Sequence, residues 1–213
     1  MKTIVVRGTG ALLRAGSSLA EPTNIPGIFL GFGDFLYICS VMKYTKEDLM
    51  NEVNVTDKYV AFWGSVFSNF YPCKIKHWDI EFRSSEQLFM WFKAVFFGDS
   101  ETADKIAAAQ TPKEAKALGR QVKDYNDDTW NEIREFMMKC AVTKKFEQNP
   151  ELQKFLLDPD FKDKHFVEGS PVDGIWGVKV DWKDPKIADE KNWNGLNLLG
   201  NVLDEVRDLL KTF

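Results

Sequence analysis

FWGSVFSNFYPCKIKHWDIEFRSSEQLFMWFKAVFF, residues 62–97, is the stretch whose reading decides the fold. It opens on an aromatic loop, Phe67-Ser68-Asn69-Phe70-Tyr71-Pro72, and continues through two short strand-like runs around residues 73–76 and 79–83. Ser84-Ser85-Glu86-Gln87 then has the chemistry of a helix N-terminus: serine hydroxyls to cap free N–H groups and an acid in the first turn. The helix is expected to run through Met90 and Lys93 and to stop near Gly98.

Glu86 and Lys93 are seven residues apart, so two helical turns place them on one face. The rise between them is roughly 10 Å, too long for the direct ion pair that spacings of three or four residues allow. The two side chains either converge on something held between them or are both solvated surface groups. Spacing alone leaves both readings open.

Working outward, 213 residues suffice for one sizeable core. A hydrophobic share of 44% beside 28% charged residues is ordinary for a soluble globular chain. The aromatic content is high, with 17 Phe and 7 Trp; such rings fill cores and also build stacking surfaces for flat ligands. A net charge of −4 argues against broad electrostatic binding of nucleic acid, while leaving room for a local basic site for one phosphate. Cys39, Cys73 and Cys140 are widely spaced and odd in number, which excludes a disulfide framework and fits a reducing, cytoplasmic setting. His77 and His165 do not stand at metal-ligand spacing, so no metal is expected. The first residues lack the apolar core of a signal peptide, and the apolar run 28–42 is too short and too interrupted for a bilayer span.

Residues 1–58 read as an N-terminal extension whose role the sequence leaves open. Residues 3–6 are strand-like, and Gly8-Thr9-Gly10 makes a plain turn, since Leu13 stands where a dinucleotide loop needs its third glycine. A loop at residues 22–27, one or two strands within 29–41 and a short helix over 45–52 capped by Thr45 complete this part. Beyond Gly98, helices are expected over 100–109, from Thr111-Pro112 to Gly119-Arg120, over 126–146 and over 150–157. The 126–146 helix presents Trp130, Ile133, Met137, Cys140 and Ala141 as its core stripe. Residues 167–177 read as loop, and a final helix buries Leu199, Val202, Leu203, Val206 and Leu210. Six or seven helices with a few short strands make an α+β fold, predominantly helical.

The loop Phe67–Pro72, Ser85-Glu86-Gln87, Met90 and Lys93-Ala94 resemble the opening motifs of the YbiA-like family, also called NADAR for its link to NAD and ADP-ribose. The similarity continues in order through Leu118-Gly119-Arg120, through Trp130 with Arg134 and Met138, and through Lys145-Phe146 with Gln148-Asn149. It then takes in Glu168-x-Ser170-Pro171-x-Asp173 with Trp176-Gly177, and Trp193-Asn194-Gly195-x-Asn197-x-Leu199-Gly200 with Val206-Arg207. It covers roughly residues 59–213, read as a single YbiA-like domain. Each motif is weak alone; their shared order is not. Two departures stand beside the expected site: Lys179 replaces the second glycine of a Trp-Gly-x-Gly pattern, and residues 179–192 look longer than the family's segment.

The resemblance implies an N-glycosidase that cleaves the bond between a nitrogenous base and ribose phosphate or ADP-ribose, without a cofactor. The substrates it suggests are ribosylamino intermediates of riboflavin synthesis or ADP-ribosylated guanine in DNA. Such cleavage builds positive charge at C1 and negative charge on the leaving nitrogen, so the site needs a proton donor and an anionic or nucleophilic partner. Glu86, Glu168 and Asp173 are the candidate carboxylates. Lys93 is expected as the covalent or electrophilic group with Glu86 as its acid/base partner, and Asp173 joins them as catalytic. Asn69, Phe70, Arg120, Glu168 and Trp176 are expected to bind substrate: rings for the base, the Arg120 fork for a phosphate. The competing class is a module that holds ADP-ribose or NAD without cleaving it.

Overall fold

The computed structural model describes residues 44–211. The strands, turn and loop expected within residues 3–41 lie outside them. Seven α-helices and five short strands among the described residues build an α+β domain, predominantly helical. No helix among them is long and apolar enough to cross a membrane.

The first helix among the described residues, α1 (Lys46–Asn51), begins as expected at Thr45, whose hydroxyl accepts from the Asp48 N–H while the Asp48 carboxylate accepts from the Thr45 N–H. Its one buried residue, Leu49, enters the main core, and β1 (Val53–Val55) follows directly. β1 pairs antiparallel with β2 (Tyr59–Phe62), and β2 pairs in parallel with β5 (His165–Glu168). As the central strand, β2 is buried on both faces. Its alternation sends Val60 and Phe62 into the main core, and Tyr59 and Ala61 into a smaller cluster with Val167, Val178 and Ile187. A separate hairpin joins β3 (Ile75–His77) to β4 (Ile80–Phe82) through Trp78, which adopts φ +51.

The loop expected over 167–177 begins later than the sequence suggests, because Val167 and Glu168 end β5. That strand holds only four residues, and its partner β2 is remote in the chain. Parallel pairing at such distance leaves no local pattern to read.

The central helix is α2 (Ser85–Phe96). Ser84 caps it by accepting from the Gln87 N–H at 3.1 Å, and the chain turns away at Gly98 with φ +74. α2 packs against α3 (Ser100–Ala108), α4 (Pro112–Gly119) and α5 (Asp127–Glu147), and it buries Leu88, Phe89, Met90, Trp91 and Ala94. Each large side chain so buried contributes about 1.5–3 kcal/mol. α4 reaches α2 closely because residue 119 is glycine: a Cβ there would stand 2.2 Å from the Met90 sulfur.

After α6 (Pro150–Leu156), the chain passes through β5 and a long loop to α7 (Leu198–Leu210), which packs on both α5 and β5 and buries the five residues expected. The stripe on α5 differs from expectation. Its buried residues are Trp130, Met138, Ala141, Val142, Lys145 and Phe146, with Ile133 and Met137 at the margin of the core. The face is rotated because it includes a fully buried lysine, which apolar periodicity assigns to solvent.

Candidate active site

Glu86 occupies the first turn of α2 and is only 4% exposed. The preceding loop holds it there. The Glu86 N–H donates to the Asn69 carbonyl at 3.0 Å, and the Ser85 hydroxyl donates to Asn69 Oδ1 at 3.1 Å. The Asn69 amide lies 3.1 Å from the Met138 sulfur, and Lys145 Nζ donates to the Ser68 carbonyl at 2.8 Å. The loop is thus pinned to α2 and α5 at once. Asn69 is buried with its side chain committed inside the protein, whereas its neighbour Phe70 is 37% exposed.

Glu168 ends β5. Its N–H donates to Asn197 Oδ1 at 3.0 Å, and Asn197 Nδ2 donates to the Phe166 carbonyl at 2.9 Å, so one side chain clips the strand end. The carboxyl oxygen Oε2 of Glu168 is buried and has no hydrogen-bond partner. A buried acceptor left without a donor is costly and is retained at few places outside functional sites.

Asp173 shapes the loop that follows. Its Oδ1 accepts from the N–H groups of Ile175 and Trp176, each at 2.9 Å. The carbonyls of Ile175 and Trp176 in turn accept from the Leu198 and Leu199 N–H groups, which satisfies the first turn of α7. The Trp176 ring stands edge-on to Phe89 of α2, with centroids 5.3 Å apart.

The electrostatics link these groups. Burial pushes the Glu86 carboxyl up to about 7; Lys116 pulls it down, Asp173 pushes it up and Arg120 pulls it down. Burial pushes Glu168 up to about 8, with Asp173 and Glu86 adding to the rise and Lys116 opposing it. Of the sequence-predicted carboxylates, Asp173 therefore acts on both Glu86 and Glu168, Glu86 acts on Glu168, and Arg120 acts on Glu86. Among the described residues, no three His, Cys, Asp or Glu side chains are placed to hold a metal ion.

Lys93 lies farther along the same helix. Its Nζ donates to the Gly119 carbonyl at 3.0 Å and stands 3.8 Å from the centroid of the Tyr125 ring. Burial lowers its pKa, with Asp127 acting in the opposite sense. Its contacts are thus with the end of α4 rather than with Asp173.

Sequence reading passed over three residues. Lys116 sits one turn before Arg120 on α4, with Nζ 5.4 Å from the centroid of the Phe70 ring; the same face logic that joined Glu86 to Lys93 would have found it. Asn197 and Lys145 stood in matched motifs, but nothing local marked one as a clip at φ +53 or the other as fully buried.

The fold and site together define an α+β domain whose central helix and central sheet deliver carboxyl groups to one cluster edged by aromatic rings. The chain belongs to the NADAR domain family, whose profile matches residues 61–211. It is 35% identical over 166 residues to N-glycosidase R617 of Acanthamoeba polyphaga mimivirus, covering 72% of this chain and 96% of that protein. It is also 35% identical over 175 residues to Protein irg-1 of Caenorhabditis elegans, covering 74% of this chain and 82% of that one. The solved structure of the E. coli protein YbiA superposes with a TM-score of 0.60 at 27% identity, covering 77% of this chain and 91% of YbiA.

Proposed function

We propose that this protein is an N-glycosidase that hydrolyses the bond between a nitrogenous base and a ribose phosphate or ADP-ribose. The observation that carries this reading is the placing of two carboxyl groups from different elements, Glu86 buried in the first turn of α2 and Glu168 with a buried, unpartnered oxygen at the end of β5, both of which burial pushes upward. Two acids that share a site and titrate near neutrality can hold one proton between them. That suits a reaction needing a proton for the leaving nitrogen and an anion beside the developing charge at C1. The viral relative R617, itself named an N-glycosidase, agrees with it.

In this reading the C1–N bond breaks, its electron pair goes to the leaving nitrogen, and a proton from the carboxyl pair neutralises that nitrogen. Lys93, whose amine burial favours in the neutral form, adds to C1 and loses its proton; the ring C1–O bond then opens, its electron pair going to the oxygen, which takes up a proton, and water hydrolyses the resulting imine to release the sugar and the free lysine. Asp173 holds the loop that presents Trp176, and Asn69 positions Glu86. Phe70 and Trp176 offer flat surfaces for the base, and Arg120 offers a fork for a phosphate. The negative net charge favours a small ribosylated nucleotide, or a single modified base turned out into the site, over extended duplex binding.

A second reading, a module that retains ADP-ribose or NAD without cleaving it, draws on Lys179. That residue takes φ +56, and its chain lies so close to Gly174 that a Cβ there would stand 2.5 Å from Lys179 Cε. One experiment separates the two. The protein is incubated with a ribosylaminopyrimidine phosphate, NAD, free ADP-ribose and ADP-ribosylated guanine in DNA, and base release is followed by chromatography. Release from one substrate, abolished in Glu86→Gln, supports the glycosidase. Tight ADP-ribose binding with no release from any of them supports the binding module.

A further inference from the structure

Tyr125 stands outside the ordered sequence motifs, yet it supplies the nearest wall of the box that holds Lys93. Its ring centroid lies 3.8 Å from Lys93 Nζ; the Gly119 carbonyl accepts from the same nitrogen at 3.0 Å, and the Trp130 ring stands farther off at 5.8 Å. The connection between α4 and α5 delivers the ring. Asp124 takes φ +54, a conformation its short side chain tolerates, and Tyr125 follows it, just before the α5 cap Asn126. Two contacts then fix the ring. Its hydroxyl donates to Asp127 Oδ1 at 2.6 Å in the first turn of α5. An edge contact with Phe97, centroids 5.4 Å apart, ties it to the end of α2. Burial and the Asp127 carboxylate push the phenol up to about 12, so it remains a donor. Although 39% exposed, the ring is anchored to both helices. On the other side of the box, Trp130 lies 5.3 Å from Phe89 and Phe89 lies 5.3 Å from Trp176, centroid to centroid, so a row of rings joins Lys93 to the edge of the carboxyl cluster.

We infer that Tyr125 is a positioning residue for Lys93: its ring holds the amine against the Gly119 carbonyl and so fixes the line along which that amine meets C1 of the sugar. This rests on the covalent part of the glycosidase reading and adds the group that aims the nucleophile. A lysine amine rides on a long, flexible stem and, when solvated, samples many positions. Reaction is fast only when the reacting atoms are held in near-attack geometry, and a small misplacement is costly. A carboxylate in the place of Tyr125 would also aim the amine, but it would hold the proton that the nucleophile must lose. A ring face attracts the ammonium more weakly and offers no acceptor for that proton, so it orients the lysine at a smaller cost to deprotonation. The face is what touches Lys93; the hydroxyl points to Asp127 and seats the ring.

The test compares Tyr125→Leu, which keeps an apolar side chain but removes the aromatic face, with Tyr125→Phe, which keeps the face. Tyr125→Met replaces the leucine variant should that form melt early. In substrate-free protein carrying 13C-labelled lysine, the Lys93 Cε signal is assigned by its absence in Lys93→Arg, and the ring current of Tyr125 displaces it upfield. That displacement should persist in Tyr125→Phe and shrink in Tyr125→Leu. In turnover, Tyr125→Leu should lose about tenfold or more in kcat with KM little changed, while Tyr125→Phe stays within about threefold of the parent. A Lys93 signal and a kcat in Tyr125→Leu that match the parent would overturn the inference. So would a rise in KM alone, which would make the ring a substrate contact, or equal losses in the two variants, which would give the role to the hydroxyl. Absence of base release from every substrate would defeat the glycosidase reading instead. The substrate-free signal then still decides the placement: unmoved in Tyr125→Leu it refutes the hold on Lys93, and displaced it supports it.

Discussion

The Lys93 ammonium donates to the Gly119 carbonyl at 3.0 Å, and the absence of a side chain on Gly119 is what lets that carbonyl come so near α2. The lysine is held by one backbone acceptor and two aromatic faces, those of Tyr125 and Trp130, with no carboxylate in an ion pair with it among the described residues. An amine so placed is easier to deprotonate than a solvated one, which is the state a nucleophile needs.

A covalent role for Lys93 leads to a direct expectation. Borohydride added during turnover should fix the sugar to Lys93, read as added mass on its peptide. Lys93→Ala should lower kcat by roughly a hundredfold or more, the scale on which positioned catalytic groups act. Unchanged turnover in Lys93→Ala, or a trapped mass elsewhere, would end the covalent assignment.

Glu86 makes stability depend on pH in a definite sense. Its carboxyl is raised from 4.5 to about 7 in the folded protein, so between those values the folded state binds more protons than the unfolded state. Stability should therefore fall as pH rises from about 4.5 to about 7 and then level off, as far as this group governs it. Glu86→Gln removes the buried charge. Relative to the parent it should be more stable by on the order of 2–3 kcal/mol at pH 8 and nearly equal near pH 4. Urea unfolding at the two pH values measures the difference; a gain of the same size at both would mean that another group is responsible.

Lys179 holds a backbone conformation that suits glycine, the residue expected there from the Trp-Gly-x-Gly pattern. Lys179→Gly should relieve about 1 kcal/mol of strain, partly offset by the greater freedom of glycine in the unfolded chain. The informative readout is KM for phosphorylated against unphosphorylated substrates. If the lysine contributes an anion contact, Lys179→Gly raises KM for the phosphorylated form with kcat little changed. Equal KM values for parent and variant would leave Lys179 a surface residue that tolerates its strain.

Much of this architecture could be read before any coordinates. The α2 start at Ser84, its end at Gly98, the Thr111-Pro112 start of α4 and the buried face of α7 all follow from caps and from the helical period. These signals are local: each depends on residues within two turns of one another. β5 escaped because its strand bonds go to a segment far away in the chain, and the α5 stripe was misplaced because it contains Lys145. Burial of that lysine depends on the Ser68 carbonyl, which a different part of the chain supplies.

The site divides in the same way. The sequence by itself determined which residues carry the chemistry worth considering, since acids, an amine, a guanidinium and aromatic rings in ordered motifs can be recognised from their types and spacing. Only the tertiary structure decided how they are arranged. It turned Asn69 inward as a clip for Glu86, left Glu168 with an unpartnered oxygen, sent Lys93 to the end of α4 and brought Lys116 to act on both glutamates. The physical reason is that desolvation and Coulomb interactions depend on distance and burial, and neither is set until separate segments pack together.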